Sequence, residues 1–239
     1  MKEIISRPKI LIPSGELEKR IVPYFEEVGI KSVRSNRRSL QADSNIGVTL
    51  VQVRPSDIPN VLKLDLPNVI GGIAGSDSFL EQTGEINPGV EVPVYNPGDR
   101  HPRIAIAVTR TFIEEKGDTV ALTDLSGKMI TTTLPNMTRN AFEEIGMRTS
   151  TFLERTDAKE DINSVTIFPV GGKTEALPLL SDSCPAVLDV VDSGDTLAAN
   201  GLSVIHDIHE VSVRLVIASG INEKNLEIFT RLEELIKKN

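Results

Sequence analysis

The chain has 239 residues, of which 39% are hydrophobic, so it has enough apolar surface to build a sizeable core in one large or two small domains. Asp and Glu number 34 against 26 Lys and Arg, a net charge of −8, which argues against nucleic-acid and membrane-surface binders because both need basic patches. The single cysteine, Cys184, excludes a disulfide framework and a cysteine-based zinc site. No apolar run is long enough to span a membrane and the N-terminus has no signal-peptide pattern, so we expect a soluble, cytoplasmic protein.

The N-terminal pattern predicts a strand, a Ser-Gly turn and a helix. The strand is the apolar run over residues 9–13, and Ser14 is the expected cap of a helix with a 3.6-residue apolar period that ends at Gly29. The helix start at Ser14 and Gly15 is a candidate anion site, although Glu16 already occupies its first turn.

Short strands and helices alternate along the rest of the chain, which favours an α/β fold with largely parallel sheets. The predicted strands cover residues 47–53, 68–74, 104–108, 119–122, 128–132, 165–170, 186–191 and 211–217. Asn136 and Asn222 are the expected caps of two helices. The segment from Thr83 to Arg103 is rich in turn residues and is the best candidate for a crossover between two domains.

The stretch from Ala186 to Leu202 carries the strongest functional signal. A buried strand ends in a Ser-Gly-x-Thr turn that leads into a helix, which is an arrangement that can bind a phosphate monoester through backbone N–H groups and hydroxyls. Asp189, just before the turn, is suited to a sugar diol or to Mg²⁺. An ordinary strand–turn–helix corner fits the bare spacing equally well.

Other patterns are weaker. Gly172–Thr174 looks like the end of a nucleotide-binding P-loop, but the glycine required upstream falls at Ile167, so only a Gly-Gly turn that presents backbone donors and Glu175 remains. The polar segment over residues 206–210 has no cysteine or third histidine nearby, which favours surface side chains over metal ligands. The sequence has no nucleophile elbow, so hydrolysis through a serine nucleophile has no support.

Five stretches, in the expected order, resemble the catalytic chain of the ATP phosphoribosyltransferase family, the first enzyme of histidine biosynthesis. The stretches are residues 53–59, 72–75, 130–139, 172–178 and 189–202. The last of these is the most specific, because it is similar to the family's phosphoribosyl-pyrophosphate loop. The resemblance covers the chain from about Lys9 to Ser219.

The resemblance implies an α/β fold with two lobes and a cleft between them, similar to the type II periplasmic binding proteins. We expect lobe I to comprise residues 1–98 and 204–239, and lobe II to comprise residues 99–203 and to carry the phosphoribosyl-pyrophosphate loop. After Ser219 only one helix is predicted, so the chain resembles the short form of the family, which lacks the C-terminal regulatory domain and works with a separate regulatory chain related to histidyl-tRNA synthetase. We also expect a homo-oligomer.

The reaction implied is the Mg²⁺-dependent transfer of phosphoribosyl from phosphoribosyl pyrophosphate to N1 of ATP. The expected catalytic residues are Glu175 and Asp189, which suit the ribose diol. The residues expected to bind phosphoribosyl pyrophosphate are Asp192, Ser193, Gly194, Asp195, Thr196 and Leu197. The residues expected to bind the acceptor are Ser14, Gly15, Glu16, Arg54 and Gly75. Mg²⁺ is expected on the pyrophosphate, with no protein ligand assigned.

Three departures from the family pattern bear on the acceptor and on the loop. Pro13 and Glu16 replace a lysine and an arginine in the first turn, and a glutamate beside polyphosphate repels it where an arginine attracts it. Cys184 and Pro185 replace an Ala-Asp pair, and Asp192 with Asp195 makes the loop acidic. The alternatives are therefore a related phosphoribosyltransferase with another base as acceptor, or a non-catalytic binding protein on the same fold.

Overall fold

The computed structural model describes residues 7–36, 38–86, 88–95, 100–117, 119–152 and 163–237. The chain folds into two units, one of residues 1–99 with 212–239 and the other of residues 100–211. The sequence-based division placed the return to the first unit at residue 204, whereas the structure places it at Ser212, because a strand of the second unit continues to Glu210. The first expected boundary, at 98/99, lies outside the described residues.

The secondary structure alternates as an α/β chain. The strands are β1 (Lys9–Pro13), β2 (Ser32–Arg34), β3 (Gln41–Ser44), β4 (Thr49–Val53), β5 (Val69–Gly75), β6 (Val90–Glu91), β7 (Arg103–Thr109), β8 (Met129–Thr132), β9 (Arg148–Thr151), β10 (Ser164–Pro169), β11 (Ala186–Val191), β12 (Leu202–Glu210) and β13 (Val213–Ile217). The helices are α1 (Glu16–Glu27), α2 (Ile58–Leu62), α3 (Ser76–Thr83), α4 (Arg110–Lys116), α5 (Pro135–Glu144), α6 (Asp195–Ala199) and α7 (Glu223–Lys237). None of the helices among the described residues combines the length and the apolarity needed to cross a membrane.

The first unit contains a sheet in the order β2-β3-β4-β1-β5-β13-β6. Its centre, β4-β1-β5, is parallel, and the strands on either side are antiparallel. Pro13 at the end of β1 pairs with Val53 at the end of β4, so the carboxyl ends of these strands lie at one edge of the sheet.

Helices α1 and α7 bury apolar side chains in the core of the first unit. That core includes Ile21, Tyr24 and Phe25 of α1 together with Phe229, Leu232 and Ile236 of α7. The Tyr24 hydroxyl donates a hydrogen bond of 2.9 Å to the Ile236 carbonyl and so joins the two helices directly.

The predicted helix caps are found in part. Asn222 caps α7, since its side-chain oxygen accepts a hydrogen bond of 2.9 Å from the Asn225 N–H. Ser14 does not cap α1: its own N–H donates to the Val53 carbonyl at 2.9 Å, and Gly15 takes the cap position. Asn136 lies inside α5, whose cap position is Leu134, because the helix begins at Pro135.

The second unit contains a sheet in the order β12-β7-β11-β8-β10-β9. Strands β11, β8, β10 and β9 are parallel, whereas β7 and β12 are antiparallel to their neighbours. Both sheets are therefore mixed, and the prediction of largely parallel sheets is wrong. The predicted strand over residues 119–122 is also absent, since a 3-10 turn at Leu122–Leu125 leads into β8 instead.

Candidate functional site

The residues expected to bind the acceptor lie at one edge of the first sheet. Ser14, Gly15 and Glu16 follow β1, Arg54 follows β4, and Gly75 is the last residue of β5. Because these three strands are parallel neighbours, their carboxyl ends reach the same edge. This is the edge at which open α/β sheets bind ligands.

The chemistry of this edge is mixed in charge. The Glu16 carboxylate is exposed and accepts a hydrogen bond of 2.5 Å from Lys19 Nζ. An exposed pair of this kind stabilises the fold little, but it partly neutralises Glu16. Gly15 has φ of 86°, a left-handed value that turns the chain sharply from β1 into α1 and that a side chain would strain. The Arg54 carbonyl accepts from the Asp57 N–H at 3.0 Å, which holds the turn after β4.

Asp189 lies near the carboxyl end of β11, and its side chain is fixed by three donors. Thr174 Oγ1 donates to Asp189 Oδ2 at 2.7 Å. Thr133 Oγ1 donates to Oδ1 at 3.2 Å, and the Val190 N–H donates to the same oxygen at 2.8 Å. These donors come from the turn after β10, from the end of β8 and from β11 itself, so three adjacent parallel strands converge on one carboxylate.

Thr174 is itself held in place from β8. It is fully buried, and its carbonyl accepts a hydrogen bond of 2.9 Å from Thr131 Oγ1, which is also fully buried. Sequence reasoning missed Thr133 and Thr174 as site residues. The available signal was their position, because each follows a predicted strand, and the carboxyl ends of parallel strands that are neighbours meet at one edge.

The surroundings of Asp189 act on its pKa in both directions. Burial raises the pKa of Asp189, and this effect is the largest. The hydrogen bonds from Thr174, Val190 and Thr133 lower the pKa, and the negative charge of Glu175 raises it, so that the net direction is upward from the ordinary value of 3.8. A carboxyl group that is desolvated and yet hydrogen-bonded is characteristic of functional sites.

Glu175 lies on the same 3-10 turn as Thr174 and is half-buried. The turn spans Thr174–Ala176 and follows Lys173, which has a left-handed φ of 50°. This short turn is the element that follows the Gly-Gly pair. Its effect is to bring Glu175 close enough to Asp189 for the two charges to interact.

The loop that follows β11 leads through Gly194 into α6. Gly194 has φ of 88°, and the loop is fastened by Ser193, whose hydroxyl donates to Asp195 Oδ2 at 2.8 Å. Asp192, Ser193, Asp195 and Thr196 are exposed, and Gly194 is half-buried. Leu197 differs from the other expected loop residues, because its side chain is buried in an apolar cluster that includes Val187 and Leu202. This side chain anchors α6 to the sheet.

In the part of the chain that the structure describes, no group of three or more His, Cys, Asp or Glu side chains is placed to hold a metal ion. The histidines and acids of residues 206–210, which were predicted to lie on the surface, belong to β12. In this strand Asp207 accepts a hydrogen bond of 2.5 Å from Arg103 Nε of β7.

Comparison with known proteins adds sequence similarity to this geometry. The family model of HisG, ATP phosphoribosyltransferase, matches residues 54–238. The ATP phosphoribosyltransferase of Pyrobaculum islandicum is 30% identical over 230 residues, which are 95% of this chain and 71% of that protein. Glu175, Asp189 and the loop after β11 lie inside the family match, whereas Ser14, Gly15 and Glu16 precede it.

Solved structures share the fold. The HisG:HisZ complex of ATP phosphoribosyl transferase from Thermotoga maritima aligns with a TM-score of 0.67 at 22% identity, covering 97% of this chain and 100% of that one. The periplasmic aliphatic sulphonate binding protein SsuA of Escherichia coli aligns with a TM-score of 0.52 at 14% identity, covering 97% and 71%. The predicted α/β fold, similar to periplasmic binding proteins, is confirmed. On the family match and the relative's identity, the chain belongs to the ATP phosphoribosyltransferase family.

Proposed function

We propose that this chain transfers the phosphoribosyl group of phosphoribosyl pyrophosphate to N1 of the adenine of ATP, the first step of histidine biosynthesis. The bond between ribose C1 and the pyrophosphate oxygen breaks, and pyrophosphate leaves with the electron pair. The lone pair of adenine N1 forms the new bond to C1. Such a displacement needs no protein nucleophile, so positioning and electrostatic stabilisation carry the catalysis.

The observation that carries the proposal is the fixed carboxylate of Asp189 directly before the loop after β11. A carboxylate accepts hydrogen bonds from ribose hydroxyls, and Glu175 supplies a second carboxylate from the neighbouring turn. Both acids belong to the second unit, so one unit presents the acceptors for the whole ribose diol. Negative charge beside C1 also stabilises the positive charge that develops on the ribose as pyrophosphate leaves.

The loop of residues 192–196 is the proposed anchor of the 5′-phosphate. Gly194 has no side chain to obstruct a phosphate, and the exposed Thr196 hydroxyl is an additional donor. The hydrogen bond from Ser193 engages one oxygen of Asp195, which limits the repulsion between that carboxylate and the phosphate.

Mg²⁺ is proposed to arrive with the donor substrate. The described residues offer no cage of protein ligands, which fits an ion that keeps its waters and is held by substrate phosphates. When bound, it neutralises charge on the leaving pyrophosphate. The contribution of the chain is to hold the ribose of this complex through Asp189 and Glu175.

The edge of the first sheet is the proposed acceptor site. Arg54 supplies positive charge for a polyphosphate there, and the exposed Glu16 opposes it. Glu16 is the one specific observation that favours a second candidate, a phosphoribosyltransferase that uses a base without a triphosphate. The pairing of Glu16 with Lys19 reduces this repulsion, and for that reason we place ATP first.

Partners are proposed by analogy with the solved complex. Since the HisG chain of Thermotoga maritima was solved with HisZ, we propose that this chain works with a separate regulatory chain. A homo-oligomer is proposed from the resemblance to the family alone.

A panel of acceptors tests the proposal. The full chain is incubated with Mg²⁺, phosphoribosyl pyrophosphate and ATP, other nucleotides or free bases, and pyrophosphate release is measured, with a candidate regulatory chain added in a parallel series. Release with ATP alone supports the first candidate, and release with another acceptor only supports the second. Absence of release in both series contradicts both candidates and indicates a binding protein.

Two variants test the proposed donor site by direct binding measurements. Asp189→Ala should abolish binding of phosphoribosyl pyrophosphate, measured by titration calorimetry. Asp182→Ala is the matched control, because Asp182 is an exposed acid of the same unit that precedes β11, whereas Asp189 lies near the carboxyl end of that strand. Unchanged donor affinity in Asp189→Ala would remove the loop assignment.

A further inference from the structure

We propose that Thr174 and Thr133 are positioning residues that aim the Asp189 carboxylate at a single hydroxyl of the donor ribose. The inference rests on the proposed function, which assigns Asp189 to the ribose. It adds an account of how the carboxylate is oriented and of how many hydrogen bonds the carboxylate accepts from the ligand.

The geometry restrains the carboxylate at both oxygens. Thr174 reaches Oδ2 at 2.7 Å, while Thr133 and the Val190 N–H reach Oδ1 at 3.2 and 2.8 Å. Rotation of the carboxylate about its bond to Cβ would break all three contacts. Thr174 cannot turn away with it, because its side chain is fully buried and its carbonyl is held by Thr131.

The hydrogen bonds leave little capacity for a ligand. A carboxylate has about four acceptor positions, two on each oxygen. Oδ1 of Asp189 is filled by Thr133 and Val190, and Oδ2 has one position left after Thr174. Asp189 therefore accepts one hydroxyl of the ribose diol. The second hydroxyl needs another acceptor, and Glu175 is the carboxylate that the same turn brings near.

The charged surroundings make the Thr174 hydroxyl important for the protonation state of Asp189. Two strands neighbour β11 in the sheet. Strand β7 places Ala105 opposite Asp189, and Thr133 follows the end of β8; both of these residues are uncharged. Glu175 on the turn is the charged group that acts on Asp189, and its charge favours protonation. Thr174 opposes this effect by donating to the ionised form.

The test compares Thr174→Val with Thr174→Ser in the full chain. Thr174→Val keeps the shape and removes the donor, so we expect KM and Kd for phosphoribosyl pyrophosphate to rise about tenfold, as for a lost hydrogen bond to a charged group. KM for ATP should stay near the wild-type value. The acid limb of kcat/KM for the donor should move to higher pH, because the pKa of Asp189 rises when the hydrogen bond is removed. Thr174→Ser keeps the hydroxyl, so its KM and Kd for phosphoribosyl pyrophosphate and its acid limb should be close to those of the wild type.

A matched control separates positioning from stability. Thr138→Val removes another buried hydroxyl of the same unit. This hydroxyl donates a hydrogen bond of 2.8 Å to the Leu134 carbonyl and does not contribute to the contacts of Asp189. It should lower Tm without changing the donor KM or the acid limb. If Thr174→Val does not fold, Thr133→Val replaces it in the test, because Thr133 is only half-buried. We expect a smaller rise in the donor KM for this variant.

Two results would overturn the inference. One is a donor KM and acid limb unchanged in Thr174→Val, and the other is a failure of Thr174→Ser to restore them. Asp189→Asn, measured in parallel, distinguishes failure of the positioning role from failure of the proposed function. If Asp189→Asn loses donor binding while Thr174→Val keeps it, only the positioning role is refuted. If Asp189→Asn also keeps donor binding, the site assignment itself is refuted.

Discussion

The hydroxyl of Thr174 lies 2.7 Å from Oδ2 of Asp189, although the two residues are 15 positions apart and belong to different strand connections. This hydrogen bond joins the turn after β10 to the end of β11. Together with the contact from Thr133 it places the carboxylate by side chains of the second unit alone. The position of the Asp189 carboxylate, which we propose as the ribose acceptor, is therefore set by hydrogen bonds within that unit.

Asp189 should cost the fold stability at neutral pH. Because its folded pKa is raised above the unfolded value, ionisation is less favourable in the folded state, and the cost disappears as pH falls through the folded pKa. We expect Asp189→Asn to have a higher Tm than wild type at pH 7, with the difference shrinking toward pH 4. Thermal unfolding across that range measures it, with Asp182→Asn as the exposed control. A difference that grows on acidification would contradict the prediction.

Gly194→Ala should disturb the loop through its backbone. The site has room for a methyl group, since the nearest atom to an added Cβ is Val191 Cγ1 at 3.8 Å, but φ of 88° is unfavourable for alanine by about 1 kcal/mol. We expect a lower Tm and weaker donor binding in calorimetry. Gly146→Ala, at a left-handed glycine of the same unit with φ of 78° and nothing within 4 Å, serves as the control and should lower Tm without changing donor binding.

Gly71→Ala should destabilise the first unit by steric overlap. An added Cβ would lie 2.5 Å from Phe229 Cε2 and 2.7 Å from the Val216 carbonyl oxygen, so both α7 and β13 would have to shift. Overpacking of this kind costs about 1–3 kcal/mol. Urea unfolding should show a lower midpoint, and donor binding by the second unit should persist in the folded protein. An unchanged midpoint would show that the helix moves without cost.

Cys184 should be unreactive in the native protein. It is fully buried before β11, and burial raises the pKa of its thiol, so the reactive thiolate is suppressed. We expect no reaction with an aromatic disulfide reagent at neutral pH and one equivalent after unfolding in urea. Rapid labelling under native conditions would mean that the segment leading into β11 opens readily.

Strong apolar runs allowed the core strands to be predicted from sequence. Strands β1, β5 and β11 are such runs, and each was predicted within a residue or two of its observed bounds. Strand β12 was missed because its second half is polar, with residues 206–210 exposed or half-exposed at the edge of the sheet. An edge strand satisfies its backbone through one neighbour, here β7, and needs no apolar pattern on its outer face.

The site was predictable as far as single residues are concerned, and not as a network. Asp189 and Glu175 stand out as acids beside turns, whereas Thr133 and Thr174 look like ordinary threonines at strand ends. Their role depends on which strands are neighbours in the sheet, and the order β11-β8-β10 is a tertiary property that periodicity does not encode. The same applies to Leu197, whose burial follows from where α6 packs.

The first unit is discontinuous in sequence, and this fixes an order of events during synthesis. A ribosome completes residues 100–211 before it makes β13 and α7, which fill the sheet and the core of the first unit. The Tyr24 hydroxyl finds its partner, the Ile236 carbonyl, only when the last helix emerges. The second unit, with its carboxylate network, is thus free to fold on the nascent chain. The core of the first unit is completed only after α7 has been synthesised.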